Sequence, residues 1–439
     1  MKISGNRSIA LVTPVAVFVA LVAVLGAGGA SEPEPAVPAA ATAKLPAGAT
    51  NGSTGRSIAR LRRAIARDPA GADSLASLGD AYYQRGRETG AGKFATLAGR
   101  AYEEALARAP TSVTALTGQA TIALVAHDFP GGLEIARRAH RLEPDLAAPY
   151  LPLIDGLIET GRYARAAAAI ERLLNLKPGV PAYARLSYFE ELHGNTDAAL
   201  RAMRLAADSA LAGTEAGAFG HALVGDLLFD AGRYRRAARR YEAALGSSGG
   251  YVPAEAGLLN VAAATGNGRA AIEGYRELVE DRELIEYADE LGRLEEAAGR
   301  RRAAERHYAI ISRLHRRELA SGQNPDAGQV IFEADHGSTR KGVRLGRAVW
   351  TASPSVSSAD AYAWALYAAG RHDAAAEVSR HATRLGSRDP IFRFHAGMIA
   401  AQAGDPERAR TLLNELLAAT PGFDPLFASI AERELRRLR

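Results

Sequence analysis

A chain of 439 residues is longer than one hydrophobic core usually supports, so it must hold several domains or an array of repeats. Its 47% apolar and 23% charged residues are ordinary for a soluble globular chain, and a net charge of +5 spread along the sequence is a weak footprint for nucleic acid. With no cysteine, the chain cannot form disulfides, thiolate metal sites, a cysteine nucleophile or a lipidated N-terminal cysteine, although an oxidising compartment stays open to it.

At the N-terminus, Lys2 and Arg7 precede an apolar run over 9–25, and small residues follow up to Ala30. This is the three-part order of a secretory signal, and residues 1–30 are expected to be either a signal peptide cleaved after Ala30 or an uncleaved membrane anchor. Pro14 interrupts a run already somewhat short of the about 20 residues a membrane span needs. On this reading the remainder works outside the cytoplasmic membrane; a buried core helix, or an anchored scaffold that faces the cytoplasm and differs only in topology, is the alternative. Residues 31–56 are rich in Pro, Ala, Gly and Ser, a composition that buries too little apolar surface to offset its ordering entropy. They are expected to form a flexible tether.

From residue 57 onward a repeating unit takes over, seen most clearly at 225–245. Gly225 follows Val224, Gly232 marks a tight turn, and Tyr234, Ala237, Tyr241 and Ala244 follow at helical spacing. The same turn glycine recurs as Gly161, Gly194, Gly266, Gly299, Gly337, Gly370 and Gly404, with His127 in the equivalent slot, at steps of about 34 residues, a period that signals stacked helix pairs. After each marker comes a small residue (Ala166, Ala199, Ala237, Ala271, Ala304, Gly342, Ala375, Ala409). One turn later stands Ile170, Met203, Tyr241, Tyr275, Tyr308, Gly346, Ser379 or Leu413. Pro110, Pro144, Pro178, Pro354 and Pro421 are placed to end second helices.

Departures from the period suggest boundaries. The run 86–92 lengthens one unit and is expected to widen its inter-helix turn, while 212–220 and 321–328 are expected to be longer loops. They divide the array into blocks at 57–212, 213–320 and 321–439. The unit holding Gly342 and Gly346 lacks large second-helix residues and is expected to be irregular, and the arginine-rich segment after Pro425 is expected to cap the stack.

No motif of catalysis or metal binding survives its context. Gly246, Ser248 and Gly250 spell a hydrolase-like string, but between two helices rather than after a strand. Gly337 and Gly342 frame half a phosphate loop, with Val343 where the lysine is needed, and the ten histidines lack ligand spacing. An enzyme would need Glu333, Asp335 and His336 to converge with other groups in space. Arg235, Arg236, Arg239 and Arg240, and again Arg300, Arg301, Arg302 and Arg306, form basic outer faces that could meet an anionic surface.

The pairs Leu78-Gly79 with Tyr82, Val224-Gly225 with Leu228, Leu291-Gly292 and Ala396-Gly397, followed by the second-helix series above, resemble the tetratricopeptide repeat. The resemblance implies an all-α, right-handed superhelical solenoid of about ten helix-turn-helix repeats, similar to exported proteins of high-GC bacteria. It also implies a concave groove lined by first helices. Carried over unit by unit, that groove holds Asp80, Asp155, Asp226, Asn260, Arg293 and Trp364, with Glu159, Asp230 and Tyr367 about a turn further on. The expected function is an exported or membrane-tethered scaffold that binds a protein or an extended peptide, with a basic or amide-rich segment favoured by the acidic early ladder. No cofactor, catalysis or nucleic acid is expected. The alternatives are an enzyme or envelope-assembly factor using an unrecognised site, and a binder of anionic surfaces.

Overall fold

The computed structural model describes residues 38–45, 49, 52–89, 92–281, 285–320 and 322–439. The expected signal or anchor at 1–30 lies outside the described residues. Among those residues the chain is all helical, with 23 helices and no strand, and neighbours in sequence pack as antiparallel pairs. It divides into two compact units, one of residues 38–177 with 317–324, the other of 178–316 and 325–439.

The first unit contains α1 (Ala39–Thr42), α2 (Gly52–Arg67), α3 (Ala72–Thr89), α4 (Lys93–Arg108), α5 (Val113–Val125), α6 (Phe129–Leu142), α7 (Tyr150–Glu159) and α8 (Tyr163–Leu176). Its core is the apolar stripe of each helix, with Ile58, Leu75, Leu78, Tyr82, Phe94, Leu97 and Tyr102 buried together. Part of the stretch expected to be a loose tether is packed here: the Tyr82 hydroxyl donates to the Ala40 carbonyl at 2.9 Å, and the Ala40 amide donates to Glu104 at 3.0 Å. Those two bonds satisfy backbone groups that composition alone leaves to water. Of the extra residues after Tyr82 that were expected to widen a turn, 86–89 continue α3 to Thr89, with Gly86 buried.

The second unit runs α9 (Val180–Leu192), α10 (Thr196–Ser209), α11 (Glu215–Asp230), α12 (Tyr234–Ser247), α13 (Val252–Ala264), α14 (Gly268–Asp281), α15 (Ile285–Ala297) and α16 (Arg301–Ala320, whose residues from 317 belong to the first unit). It continues with α17 (Ala327–Asp335), α18 (Thr339–Ala352), α19 (Val356–Ala368), α20 (His372–Ala382), α21 (Pro390–Gln402), α22 (Pro406–Ala419) and α23 (Pro425–Arg437). The pair α17 and α18 is closely packed, with a first helix of nine residues. Gly342 and Gly346 replace bulky residues because the helices nearly touch: a Cβ on Gly342 would lie 3.0 Å from the Ala334 amide nitrogen, and one on Gly346 3.0 Å from Val330.

The repeat markers have a common backbone reason. Gly161, Gly194, Gly232, Gly266, Gly299, Gly370 and Gly404 all turn with φ between 68° and 92°, and His127, the substitute in that slot, does so at 59°. Gly337 is the exception; there the space is taken by the Glu333 side chain. Each of the five helix-ending prolines stands two positions beyond the last residue of a second helix, where no further turn can form. Asp128, Asp389, Asp405 and Asp424 start helices by accepting amide protons of the first turn.

An acidic wall on the first helices

The tyrosine one turn after the small residue of a second helix does two jobs. Its ring occupies the space that a first-helix glycine leaves empty: a Cβ on Gly225 would lie 2.5 Å from the Tyr241 ring, and one on Gly292 2.5 Å from the Tyr308 ring. Tyr102 is flanked in the same way by Gly79 and Gly118, and Tyr241 also by Gly257. Its hydroxyl then reaches across to the first helix and donates to a polar residue there. Tyr102 donates to Asp80 at 2.8 Å, Tyr241 to Asp226 at 2.7 Å and Tyr275 to Asn260 at 2.7 Å. Three of the expected groove residues are therefore held in place by the repeat's own architecture.

The other expected positions are less uniform. Asp155 and Asp230 are half-buried, as is Tyr367. Glu159, Arg293 and Trp364 are buried, which departs from a solvent-facing ladder. Trp364 is covered because its ring stacks between Tyr367 and His395, at centroid distances of 4.6 and 4.1 Å, while its indole N–H donates to Asp335 at 2.8 Å. Arg293 is enclosed by Asp289, Glu290 and Asp424, with its guanidinium 5.5 Å from the centre of the Phe427 ring.

Around these residues the second unit gathers carboxylates that the sequence pattern did not single out. Glu191 on α9, Asp226 and Asp230 on α11 and Asp389 at the start of α21 are all raised, with loss of hydration as the largest cause; the charges of Asp389 and Asp226 add to the shift of Glu191 and of Asp230. Asp226 is pushed up to about 6 by that desolvation, against the opposing hydrogen bond from Tyr241, and Asp389 also reaches about 6. On α15, burial lifts Glu286 and Glu290 to about 7 and Asp289 to about 6, the last two despite the attraction of Arg293. Asp335 on α17 is driven well above its usual range, again mainly by burial. Carboxylates so placed gain by meeting a cation or by keeping a proton.

The sequence missed Glu191, Asp289, Glu290, Asp389 and Asp424 because they come from helices far apart in the chain. Two of them did carry a local signal, since Asp389-Pro390 and Asp424-Pro425 read as helix starts. Glu333, Asp335 and His336 do not converge into one centre: Glu333 pairs with Lys341 at 2.6 Å, Asp335 serves Trp364, and His336 stacks on Tyr308. Burial lowers His336 to about 3 and His315 to about 4, so both stay neutral near pH 7. Among the described residues no group of three or more His, Asp or Glu side chains could hold a metal ion, and no helix is long and apolar enough to cross a membrane. On the outer face, Arg300, Arg301, Arg302 and Arg306 line an open depression of 440 Å³.

A family profile described as "Tetratricopeptide repeat" matches residues 49–98 and 361–422. Among solved structures, the human IFIT1 dimer with PPP-AAAA is 18% identical, with 79% of this chain and 72% of that one covered and a TM-score of 0.48. The pilF protein of Pseudomonas aeruginosa is 18% identical over 49% of this chain and 92% of its own, with a TM-score of 0.35. Cut9 in the APC/C hetero-tetramer Cut9-Hcn1 is 13% identical over 87% and 92%, with a TM-score of 0.36. No curated protein matches the chain.

Proposed function

Because the chain is a tetratricopeptide repeat protein, whose stacked helix pairs offer surfaces to partners, we propose that it is a scaffold without chemistry of its own that binds a basic, extended protein segment along the first-helix wall. The observation that carries this reading is the set of carboxylates raised by desolvation on α9, α11 and α15, of which Asp289 and Glu290 meet Arg293. A lysine or arginine side chain entering the wall would favour the ionised form of these groups, its Coulombic attraction offsetting the cost of releasing their protons. The Tyr241 hydroxyl fixes the direction of Asp226 beforehand, so less side-chain entropy is lost on binding.

We place the protein outside the cytoplasmic membrane, secreted or tethered by residues 1–30, on the strength of the signal-like order of Lys2, Arg7 and the apolar run after them. Protease added to intact cells should degrade the folded region while a cytoplasmic marker survives; protection equal to the marker's would reverse the topology. For the ligand class, a photo-crosslinking peptide of alternating Lys and Gln should label the first helices, and Asp230→Lys should weaken the labelling. Equal labelling by an Asp/Gln peptide of the same length would remove the basic-segment reading.

A further inference from the structure

The last two helix pairs of the second unit do not simply continue its stack. Their loops return to the edge formed by earlier repeats of the same unit. The Gly422 amide donates to the Tyr234 hydroxyl at 3.0 Å, across 188 positions of sequence. A Cβ on Gly422 would lie 2.5 Å from the Ala264 carbonyl oxygen, so backbone rests on backbone at the end of α13. Two further contacts of the same kind join the Gly232 turn to the Ala419 carbonyl and the Gly194 turn to the Gly386 carbonyl. Beyond these loops, α23 packs on α15. There Asp424 approaches Arg293 at 3.4 Å while still capping α23 through the Leu426 and Phe427 amides at 2.8 and 2.9 Å.

Arg293 is the cation on α15 nearest to Asp289 and Glu290, and α23 covers it so fully that 5% of its side chain is exposed. The helix thus places its own carboxylate and aromatic ring where an incoming segment would have to lie. Towards α15 its hold is one ion pair, one ring contact and a few loop contacts, while Leu426, Phe427, Ala428 and Ala431 join it to the apolar core of α17 to α22. The repeat-internal cores of α9 to α15, built on their own alanines and tyrosines, do not depend on it.

We propose that residues 386–437 form a built-in plug, with the Arg293–Asp424 pair as its latch, which keeps the inner wall of α9 to α15 closed until the plug is displaced. The proposal rests on the reading of that wall as the partner-binding face. In it the unit exists in a closed and an open state, and only the open state admits a basic segment. The apparent affinity is the open-state affinity multiplied by the open fraction, so a closed state populated at about 90% weakens binding about tenfold.

The absence of cysteine makes a direct test simple, since introduced thiols are the only ones in the full-length chain. Gly422→Val wedges the loop from Ala264 without touching a repeat core, and Tyr234→Phe removes the acceptor of the Gly422 amide as a milder opening. Asn195→Cys with Arg388→Cys, joined by a short bis-maleimide, locks the Gly194 and Gly386 loops together. Each variant is checked for native helicity by circular dichroism. Wall access is read without a partner, by carbodiimide coupling of glycine ethyl ester to Asp289 and Glu290. Binding is read with a fluorescein-labelled peptide of alternating Lys and Gln.

Opening should raise both coupling and peptide affinity by about tenfold for Gly422→Val and less for Tyr234→Phe, while the lock lowers both. Coupling that rises without peptide binding keeps the plug and refutes the basic-segment reading. Coupling at Asp289 and Glu290 that is the same in locked, wild-type and both opened chains overturns the plug. So does a peptide that binds locked and opened chains equally.

Discussion

Asp226→Asn isolates the electrostatic character of the inner wall from its geometry. Asp226 accepts the Tyr241 hydroxyl at 2.7 Å, and the neighbouring repeat shows that an amide does this equally well, since Asn260 accepts Tyr275 at the same distance. The substitution therefore keeps the hydrogen bond and removes the charge. Desolvation raises the folded-state pKa of Asp226 from 3.8 to about 6. A group shifted in this direction binds its proton more tightly in the folded chain, so its penalty is absent below pH 3.8, grows as pH rises and is complete above about 6. Two units correspond to about 3 kcal/mol at most, and the carboxylate's partial contact with water reduces this to about 1–2 kcal/mol. The Asn variant should match wild type at pH 4 and exceed it by about 1–2 kcal/mol at pH 8. Urea unfolding followed at both pH values by hydrogen exchange in α11 reads this difference locally, where a long array need not unfold in one step. A gain independent of pH, or a loss that grows with pH, would refute the placement of Asp226 in a desolvated wall.

Other perturbations test other links. Ala237 is fully buried where α12 approaches its neighbours, and Ala237→Leu should overpack that contact by about 1–3 kcal/mol; an unchanged melting curve would count against it. Arg293→Met leaves Asp289, Glu290 and Asp424 without their cation and should destabilise by about 3–5 kcal/mol near neutral pH. Because Asp289 and Glu290 take up protons readily, the loss should shrink by pH 5, which thermal melts at pH 5 and 8 would report. Asp128→Ala removes the cap on the Gly131 amide, 3.0 Å away, and should cost about 1 kcal/mol in exchange protection of α6. A salt titration against duplex DNA should give no steep slope, because the basic clusters are separate patches rather than one stripe.

Much of the helical order was legible because the repeat signals are local. A turn glycine needs a left-handed backbone, a proline ends a helix, and a small residue marks close approach; each leaves its trace within a few positions of sequence. Even His127 could be placed in a glycine slot by phase alone. The run 86–92 was harder to read, because four of those residues extend α3 and glycine content argued for a turn. Gly342 and Gly346 were hard to read for the opposite reason: their lack of side chains reports a tighter helix pair.

The candidate wall was legible only in part. Asp80, Asp226 and Asn260 could be found because repeat phase fixes which way a first-helix residue points. Burial of Arg293 and Trp364 could not, since it depends on Asp424, Phe427 and His395, which no periodicity links to them. Phase gives direction within one repeat but says nothing of what a later repeat brings opposite.

Titration calorimetry of the full-length chain with two peptides of equal length, one alternating Lys and Gln and one alternating Asp and Gln, tests the account most directly. At pH 7 the basic peptide should bind, take up charge on the wall with release of protons to the buffer, and weaken on raising salt and in Asp230→Lys. Equal binding of the two peptides, or binding of the basic one without proton release and unaffected by Asp230→Lys, would contradict it.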